Sequence, residues 1–341
     1  MFSKLNQLVE SASKINLIIA NNPDADSVGS ALALREIFET LNKTVYLYCH
    51  VDIPVYLHFL KNWHDIQKSF ISDYDLAIMV DNSTQTLLQN PQRPDLIHSL
   101  KIKPFVILDH HTSQTDIDFA DEIINQPQMV ATGQLIYKIA QVLNWPINQL
   151  IANYLSSSIL SDSLGFTSQI MVNNPEPLRV VGDLVELGAD LHQLAQDRLK
   201  YQQIPANLVS YKAELLKRIE FYHENQLALI TIPHSEIKEY SSFFNPTIIL
   251  DDMKIIEKVK LTVGFKQYYD QSNNLIRITS RIRCLKDCQI AQELAEAFGG
   301  GGHPYASGVK FENSNLDFIE IKKALIETAG QLLDKESMDG A

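Results

Sequence analysis

The stretch PFVILDHHT, residues 104–112, joins an unbroken apolar run to an acid and two imidazoles. The apolar run predicts a short strand that is buried on both faces, as in a parallel sheet. In an open α/β sheet, ligands bind just beyond the carboxyl ends of such strands. Because His110 and His111 are neighbours in an extended backbone, their rings point in opposite directions, so one can bind a metal while the other faces substrate. The stretch therefore predicts an α/β domain whose site lies at a strand end.

Two other predicted strands, residues 15–20 and 75–80, also run directly into acids. A helix follows the first of these acidic turns, and Ser27 is a candidate for its N-cap. Parallel strands carry their C-terminal ends at one edge of the sheet, so a shared site is a better interpretation than a solvated strand end. The acids at these two strand ends are Asp24, Asp26 and Asp81.

Alternating strands and helices continue to about residue 222, where longer segments typical of a half-exposed sheet take over. Within the first part, Asp162 adds an acid in a loop that contains Gly165. We predict an α/β fold with a mainly parallel N-terminal sheet flanked by helices, plus a smaller C-terminal α/β domain joined by a helical connector. The predicted boundaries are 1–195 for the N-terminal domain, 196–222 for the connector, 223–335 for the C-terminal domain and 336–341 for a tail.

The overall composition predicts a two-domain globular protein and limits its partners. The chain has 341 residues and a net charge of −12, which suits a short, locally held nucleic acid better than a long one. Its three cysteines give no disulfide framework and suit a reducing compartment. No apolar run approaches the ~20 residues of a membrane span, and the N-terminus lacks an apolar signal core. We therefore predict a cytoplasmic protein without a membrane partner.

Four acids and one histidine form a candidate set of metal ligands: Asp24, Asp26, Asp81, His110 and Asp162. Hard oxygen and imidazole ligands suit Mn²⁺, or Mg²⁺ as a substitute, better than the thiolate sets of structural zinc. Crowded carboxylates repel one another without cations, and two ions can activate a water for an in-line phosphoryl displacement. In this interpretation Asp109 orients His110, and His111 donates to a phosphoryl oxygen or the leaving group.

A run of glycines precedes His303 and consists of Gly299, Gly300, Gly301 and Gly302. Glycine leaves the backbone N–H groups uncovered, which is what an anion-binding loop requires. His303 and Arg281 would add charge-assisted contacts. A flexible linker is the alternative, but the predicted helix and strand on either side argue against it. We therefore predict that these residues bind the phosphate of a substrate.

In this combination and order, the motifs resemble those of the DHH phosphoesterase family with its DHH-associated C-terminal domain. The motifs are Asn22-Pro23-Asp24-Ala25-Asp26, Asp81, Asp109-His110-His111, Asp162 and Gly299–His303. Length and layout are similar to the nanoRNase type within that family, a bifunctional oligoribonuclease and 3′-phosphoadenosine 5′-phosphate phosphatase. The resemblance implies an N-terminal domain with two manganese ions, a substrate-binding C-terminal domain and a homodimer.

The resemblance also implies how the two ions share their ligands. Asp24 and Asp81 would hold one ion, with Asp81 as the bridge to the other. The second ion would be held by Asp26, Asp81, His110 and Asp162. Two positions depart from the family pattern: Ala20 replaces the histidine of the first motif, and Ala25 replaces a glycine. The first ion is therefore bound weakly, bound through water or Asn21 instead, or lost.

Three functions follow from these observations, because motifs define chemistry better than they define a substrate. The first is a Mn²⁺-dependent phosphoesterase that acts on very short RNA oligonucleotides or small phosphorylated nucleotides. The second is a phosphatase or phosphodiesterase for another small substrate, such as a cyclic dinucleotide or polyphosphate. The third is a nucleotide-binding protein whose catalysis is impaired because of Ala20.

Overall fold

The computed structural model describes residues 2–88, 96–112, 115–203, 205–236, 247–270, 275–285, 288–311 and 317–339. Contacts within the chain divide it into two compact units, Met1–Gln203 and Ile204–Ala341. The division falls inside the segment that we predicted as a connector. The predicted tail is helical as far as Asp339, and its residues 340–341 lie outside the described residues.

The first unit contains a five-stranded sheet in which all pairs are parallel, in the order β2-β1-β3-β4-β5. Its strands are β1 (Lys14–Ile19), β2 (Thr44–Cys49), β3 (Leu76–Val80), β4 (Phe105–Asp109) and β5 (Glu122–Asn125). Every residue of β3 and β4 is buried, which explains why their sequences run without alternation. The short edge strand β5 was not predicted, because only Ile124 in it is buried.

Helices cover both faces of this sheet. They are α1 (Ser3–Ser11), α2 (Ala25–Thr40), α3 (Leu96–Lys101), α4 (Thr132–Leu143), α5 (Gln149–Asp162), α6 (Glu176–Glu186) and α7 (Leu191–Tyr201). Short 3₁₀ turns occur at Val55–Leu57, Trp63–Asp65, Gln85–Leu88 and Gln169–Met171. Ile15, Leu17 and Ile19 face the core formed with α2, α4 and α5, whereas Ile18 faces the smaller core that includes α3. Among the described residues, no helix is both long and apolar enough to cross a membrane.

The strand order places a topological switch point between β1 and β3. From β1 the chain crosses to β2 on one side, and β3 to β5 then build outward on the other. At such a point the connections after the two central strands diverge and leave a crevice at their carboxyl ends. The acidic turns after β1 and β3 open into this crevice, next to the end of β4.

Two local predictions near the crevice were wrong in detail. The N-cap of α2 is Asp24, whose Oδ1 accepts from the Ser27 N–H at 2.9 Å, while Ser27 Oγ accepts from the Asp24 N–H at 3.0 Å. This reciprocal capping box moves the helix start to Ala25 and makes Ser27 its third residue. Asp162 was predicted in a loop, but it is the last residue of α5 because the helix runs further than its apolar spacing indicated.

The second unit contains a six-stranded mixed sheet in the order β10-β11-β9-β8-β7-β6. Its strands are β6 (Glu220–Tyr222), β7 (Leu227–Ile232), β8 (Leu261–Asp270), β9 (Leu275–Cys284), β10 (Gly301–His303) and β11 (Ala306–Phe311). Its helices are α8 (Ala206–Lys217), α9 (Thr247–Lys254), α10 (Ala291–Glu296) and α11 (Phe318–Asp339). One face packs on α10 and α11, and the other packs partly on α8 and α9. The predicted fold class, a parallel α/β unit followed by a smaller α/β unit, is confirmed.

Candidate metal centre

The ring of His110 lies at the centre of the acids that the sequence singles out. Its Nε2 atom is 3.4 Å from Asp26 Oδ2, 3.4 Å from Asp81 Oδ1 and 3.4 Å from Asp162 Oδ2. These side chains come from the end of β4, the start of α2, the turn after β3 and the end of α5. The fold therefore brings four of the five predicted ligands into one cluster.

The hydrogen bonds of His110 make this cluster suitable for a cation. Its Nδ1 is 3.2 Å from the carbonyl oxygen of Met129, and because a carbonyl only accepts, Nδ1 carries the proton. In the neutral ring, Nε2 then presents a lone pair towards three carboxylates. Within the described part of the chain this buried Nε2 has no hydrogen-bond partner. Adjacent ligands of one Mg²⁺ or Mn²⁺ ion lie about 3 Å apart, so the arrangement fits a divalent cation after a small contraction.

The pKa values of the clustered side chains also indicate a site for a cation. Burial raises the pKa of Asp81 well above its ordinary range, and the neighbouring Asp26 adds to this. Burial likewise raises the pKa of Asp162 to about 6. Burial lowers the pKa of His110, but Asp162, Asp81 and Asp26 outweigh it and bring that pKa to about 11. A bound proton thus compensates the acids in part, which is the role a divalent cation would take over.

Asp26 is fully buried and accepts four hydrogen bonds. Its Oδ1 accepts from Ser30 Oγ at 3.0 Å, from Ser158 Oγ at 2.5 Å and from the Gly133 N–H at 3.1 Å. Its Oδ2 accepts from the Thr132 N–H at 2.7 Å. The N-cap residue of α4, Ala131, has no side chain to cap that helix, so Asp26 satisfies its first N–H groups from another element. Asp26 is therefore both a candidate metal ligand and the group that anchors the N-terminus of α4.

Asp81 has an unusual backbone conformation that aims its side chain into the crevice. Its φ is 60°, in the left-handed region that Asp and Asn tolerate better than most residues. The Asp81 N–H donates to the Leu108 carbonyl at 2.8 Å, which ties the turn to β4. Thr132 Oγ1 donates to Asp81 Oδ1 at 3.0 Å. Thr132 thus contacts both Asp26 and Asp81 and fixes their relative position.

The residue that Asp109 orients differs from our prediction. Its Oδ1 accepts from the backbone N–H of His110 at 2.8 Å and from the ring Nδ1 of His111 at 2.8 Å. The ring of His110 is oriented by Met129 instead. The centroids of the two imidazole rings lie 4.7 Å apart, so the prediction that the rings point in opposite directions was wrong. His111 is half exposed, and its hydrogen bond to Asp109 raises its pKa. Its Nε2 is therefore available to donate a proton towards a ligand in the crevice.

The pair Asp109–His111 gives a pH-dependent prediction for the metal-free protein. Burial opposes ionisation of Asp109, but hydrogen bonds from His111 prevail and lower its pKa from 3.8 to about 2. A carboxyl group whose pKa is depressed by folding stabilises the fold above its unfolded pKa, and loses this as the pH falls through the folded value. We expect Asp109→Asn to cost roughly 2 kcal/mol at pH 7, and less as the pH falls below about 4. Urea unfolding in EDTA from pH 7 to pH 3 measures this, and a cost that does not change with pH would contradict it.

Asp24 lies beside the cluster and lines a separate cavity of about 160 Å³ together with Asp81 and His111. Burial and the nearby Asp26 raise its pKa, which is the electrostatic signature of an uncompensated acid. Ala20 also lines this cavity, so a side chain at position 20 would reach into it. Asn22 is among the lining residues and Asn21 is not, so the substitute ligand considered from the sequence is not placed there.

The predicted phosphate-binding residues lie in the second unit, where Arg281, Gly301 and His303 share one face of its sheet. Arg281 pairs with Gly264 on β8 and with Gly308 on β11, so its two cross-strand neighbours have no side chains. Arg283 and His303 both pair across Ala306, which places them on that same face. We call Lys266, Arg281, Arg283 and His303 the cationic face. Burial and the neighbouring Arg281 lower the pKa of both Lys266 and Arg283, although Asp251 partly offsets this for Arg283.

The glycine run is a turn and strand rather than a linker. Gly301 and Gly302 belong to β10, which pairs with β11. A Cβ on Gly300 would lie 2.3 Å from the Gly308 carbonyl oxygen, and Gly302 has a φ of 143°. Gly299 and Gly301 have open space around them. Close backbone packing thus requires glycine at 300 and 302, while 299 and 301 are free to face a ligand.

Sequence reasoning missed the residues that hold the acids in place. These are Thr132 and Gly133 at the start of α4, and Ser30 and Ser158 on α2 and α5. Met129, just before α4, was also missed, and it orients His110. One signal was present: three consecutive serines, residues 156–158, interrupt an otherwise apolar helix, and small polar residues there indicate a buried polar contact.

A comparison with protein families finds a match within the first unit. A model of the DHH family, N-terminal domain, matches residues 14–160, which include β1 to β5 and four of the five candidate ligands. This part of the chain, with most of the candidate centre, is therefore similar to the DHH family.

Individual relatives resemble nearly the whole chain. The bifunctional oligoribonuclease and PAP phosphatase NrnA of Thermus thermophilus is 25% identical over 301 residues, or 87% of this chain and 83% of the relative. The cyclic-di-AMP phosphodiesterase GdpP of Bacillus subtilis is 20% identical over 323 residues, or 88% of this chain and 45% of GdpP. An exopolyphosphatase-related protein from Bacteroides fragilis has a similar structure, with a TM-score of 0.79 and 20% identity. That match covers 98% of this chain and 97% of the other, which establishes the fold of both units.

Proposed function

We propose that this protein is a Mn²⁺-dependent phosphoesterase that hydrolyses very short RNA or small phosphorylated nucleotides. The observation that carries the proposal is the buried Nε2 of His110, with three carboxylate oxygens at 3.4 Å and no hydrogen bond among the described residues. Hard oxygen ligands with one imidazole favour Mn²⁺ or Mg²⁺ over softer ions. The similarity to NrnA, named as an oligoribonuclease and PAP phosphatase, supports the substrate class.

The cluster provides ligands for one ion, which Asp26, Asp81, His110 and Asp162 would hold. Asp24 and Asp81 offer ligands for the other ion, which is the first ion of the sequence analysis. When bound, such ions neutralise phosphoryl charge and generate a nucleophile from water near neutral pH. Thr132 and Ser158 keep the acids in position before any ion binds. Burial of the acids excludes water and strengthens every charge interaction in the centre.

His111 is the residue that we propose to contact the substrate in this unit. Its Nδ1 is engaged by Asp109, which raises the pKa of the ring and so favours its protonated form. A protonated Nε2 can donate to a phosphoryl oxygen or to the leaving oxygen as it develops charge. The half-exposed position of the ring at the crevice supports this role.

The cationic face supplies the charge that a nucleotide phosphate needs. Arg281 lowers the pKa of both Lys266 and Arg283, so an anion bound beside these side chains would stabilise their charged forms. Because the chain as a whole carries −12, this local face favours a short substrate over a long one. We also propose the homodimer that the family resemblance implies and the cytoplasmic location that the sequence analysis predicts.

A second candidate substrate is a cyclic dinucleotide, which the similarity to GdpP supports. It has the same phosphodiester chemistry and would use the same centre. The choice between the two depends on the second unit, where the substrate would be recognised.

The test is hydrolysis of a 5′-labelled RNA dinucleotide by the purified full chain, with Mn²⁺ titrated from zero to millimolar. We expect turnover that requires Mn²⁺ and stops in EDTA. Ala20→His restores a nitrogen ligand at the cavity beside Asp24, so we expect it to lower the Mn²⁺ concentration for half-maximal rate by roughly tenfold. Ala20→Leu is the matched control, because it adds bulk without a ligand atom.

Parallel assays with a cyclic dinucleotide and with polyphosphate decide the substrate. Turnover of either of these without turnover of the dinucleotide would refute the proposed RNA substrate. It would still support phosphoesterase activity. Nucleotide binding without turnover in the natural protein, together with turnover in Ala20→His, would identify a binding protein that has lost its first ion.

A further inference from the structure

A pocket lined by aromatic and imidazole rings lies in the first unit, away from the metal centre. The rings of His58 and Trp63 are stacked, with centroids 3.4 Å apart and planes 4° from parallel. Tyr201 approaches His58 edge-on at 6.0 Å, and His64 approaches Trp63 edge-on at 6.1 Å. These rings line a cavity of about 410 Å³, which falls in the size range of small-ligand sites. We call it the aromatic pocket.

The stack is held in place by a backbone contact. His58 Nε2 lies 3.0 Å from the Ile53 carbonyl, so the ring donates there and cannot rotate freely. His58 covers one face of Trp63, while Tyr201 and His64 stay largely exposed, at 40% and 66%. Exposed rings held in a fixed geometry are a preorganised surface for another flat ring.

Positive charge lines the same cavity. Lys61 and Lys200 line it together with the two histidines, and Asp197 is the one acid among the lining residues. Lys200 Nζ is paired with Asp197 Oδ1 at 2.6 Å, so the two lysines and this acid together leave one net positive charge at the cavity. In a chain with a net charge of −12, lysines beside exposed rings form a local exception. Rings for bases with lysines for phosphates are the combination by which proteins bind single-stranded nucleic acid.

A second cavity shares a lining residue with the aromatic pocket and reaches neighbours of the candidate metal ligands in the chain. This cavity of about 370 Å³ is lined by Ala25, which stands between two acids of the centre, and by Gly165, three residues beyond Asp162. Arg198 lines the same cavity, and Phe59 lines both it and the aromatic pocket. Helix α7 contributes side chains to both cavities. A chain of a few nucleotides that follows this cavity from Ala25 would pass a guanidinium before it meets the stacked rings.

We infer that the aromatic pocket binds a nucleobase of a single-stranded RNA oligomer longer than a dinucleotide, with Lys61 and Lys200 contacting its phosphates. The inference rests on the proposed function, because the pocket would bind a part of the same substrate that extends beyond the metal centre. Binding itself requires neither metal nor turnover. The pocket therefore gives the protein a preference for oligomers of several nucleotides.

The experiment measures binding in EDTA, where hydrolysis cannot occur. The two tryptophans are Trp63 and Trp145, and Trp145 is buried against Phe38. In Trp145→Phe, the fluorescence of Trp63 is isolated, and we expect an adenosine pentanucleotide to quench it to saturation. Anisotropy of a labelled pentanucleotide then compares Trp63→Ala with Trp63→Phe. We expect affinity to fall by roughly tenfold or more in the alanine variant and to be largely kept with phenylalanine, because a ring is what stacks.

Phe221→Ala is the matched control, since Phe221 is also an exposed ring but lies in β6 of the other unit. It should bind the pentanucleotide like the natural protein. Unchanged affinity in Trp63→Ala, or no response of Trp63 to the oligomer, would overturn the inference even if RNA hydrolysis is found. Binding that depends on Trp63 in a protein that hydrolyses no RNA would support the pocket and refute the proposed function instead.

Discussion

Replacing Asp81 with asparagine is expected to remove metal-dependent hydrolysis while leaving the fold intact. Metal ions stabilise transition-state charge by several kcal/mol, so loss of the ligand shared by both proposed ions should lower kcat by at least roughly 10³-fold. Asparagine suits the left-handed backbone at this position, where φ is 60°, and its side chain can still accept from Thr132. Alanine would add backbone strain and is a less clean test.

The same substitution is expected to raise the thermal stability of the metal-free protein. Burial and Asp26 raise the pKa of Asp81, so ionising it at neutral pH opposes folding. Asparagine removes that charge. A melting temperature in EDTA above that of the natural protein, together with lost turnover, would identify Asp81 as a residue kept for chemistry at the expense of stability.

Asp75 provides the matched control at the opposite end of β3. Its Oδ2 accepts from the backbone N–H groups of Ser13 at 2.8 Å and Lys14 at 2.9 Å, and these bonds lower its pKa. Asp75→Asn should therefore destabilise the protein slightly and leave hydrolysis unchanged. If Asp81→Asn retains turnover, or if the two variants change stability in the same direction, the assignment of Asp81 is wrong.

Replacing Gly133 with alanine is expected to damage both the fold and the metal centre. An added Cβ would lie 2.1 Å from Ser158 Oγ and 2.7 Å from Ser158 Cβ, where α4 and α5 meet. Ser158 would have to move and would lose its 2.5 Å hydrogen bond to Asp26. We expect a loss of about 2 kcal/mol in the free energy of unfolding, as for other overpacked cores. Affinity for Mn²⁺ should fall by about 10- to 100-fold, because support of a ligand is lost.

Gly182→Ala is the control for this variant. Gly182 lies inside α6 with nothing within 4 Å of an added Cβ, so alanine there should stabilise by roughly 0.5–1 kcal/mol through helix propensity. Ser158→Gly in the Gly133→Ala chain removes both close contacts and should recover stability but not metal affinity. Urea unfolding and Mn²⁺ titration measure the two effects. If Gly133→Ala is as stable as Gly182→Ala, then α4 and α5 move apart without loss of stability and the prediction is wrong.

The outline of the fold and the identity of the candidate ligands could be predicted, because both leave local signals. Buried parallel strands read as unbroken apolar runs, and the acids stand directly after them. The apolar run of β4 and its Asp109 ending are one such signal. The parallel sheet then brings separate strand ends together without further information.

The support for the ligands could not be predicted, because it comes from contacts between distant segments. Thr132 binds Asp26 across 106 positions of sequence, and Ser158 does so across 132. Such contacts leave no periodicity behind. The partner of Asp109 was assigned to the wrong imidazole because the orientation of the His110 ring depends on its contact with Met129, 19 positions away, which the local sequence does not indicate. The hairpin of β10 and β11 was hidden by its glycines, which carry no strand propensity.

The two units have separate hydrophobic cores, one set around the parallel sheet and the other around the mixed sheet. A substitution on the cationic face therefore leaves the hydrophobic core of the first unit, which carries the metal centre, unchanged. If the cationic face recognises the substrate as proposed, the protein is modular in evolutionary terms: a lineage can exchange one phosphorylated substrate for another by changing a single sheet surface, while the reaction chemistry is inherited unaltered.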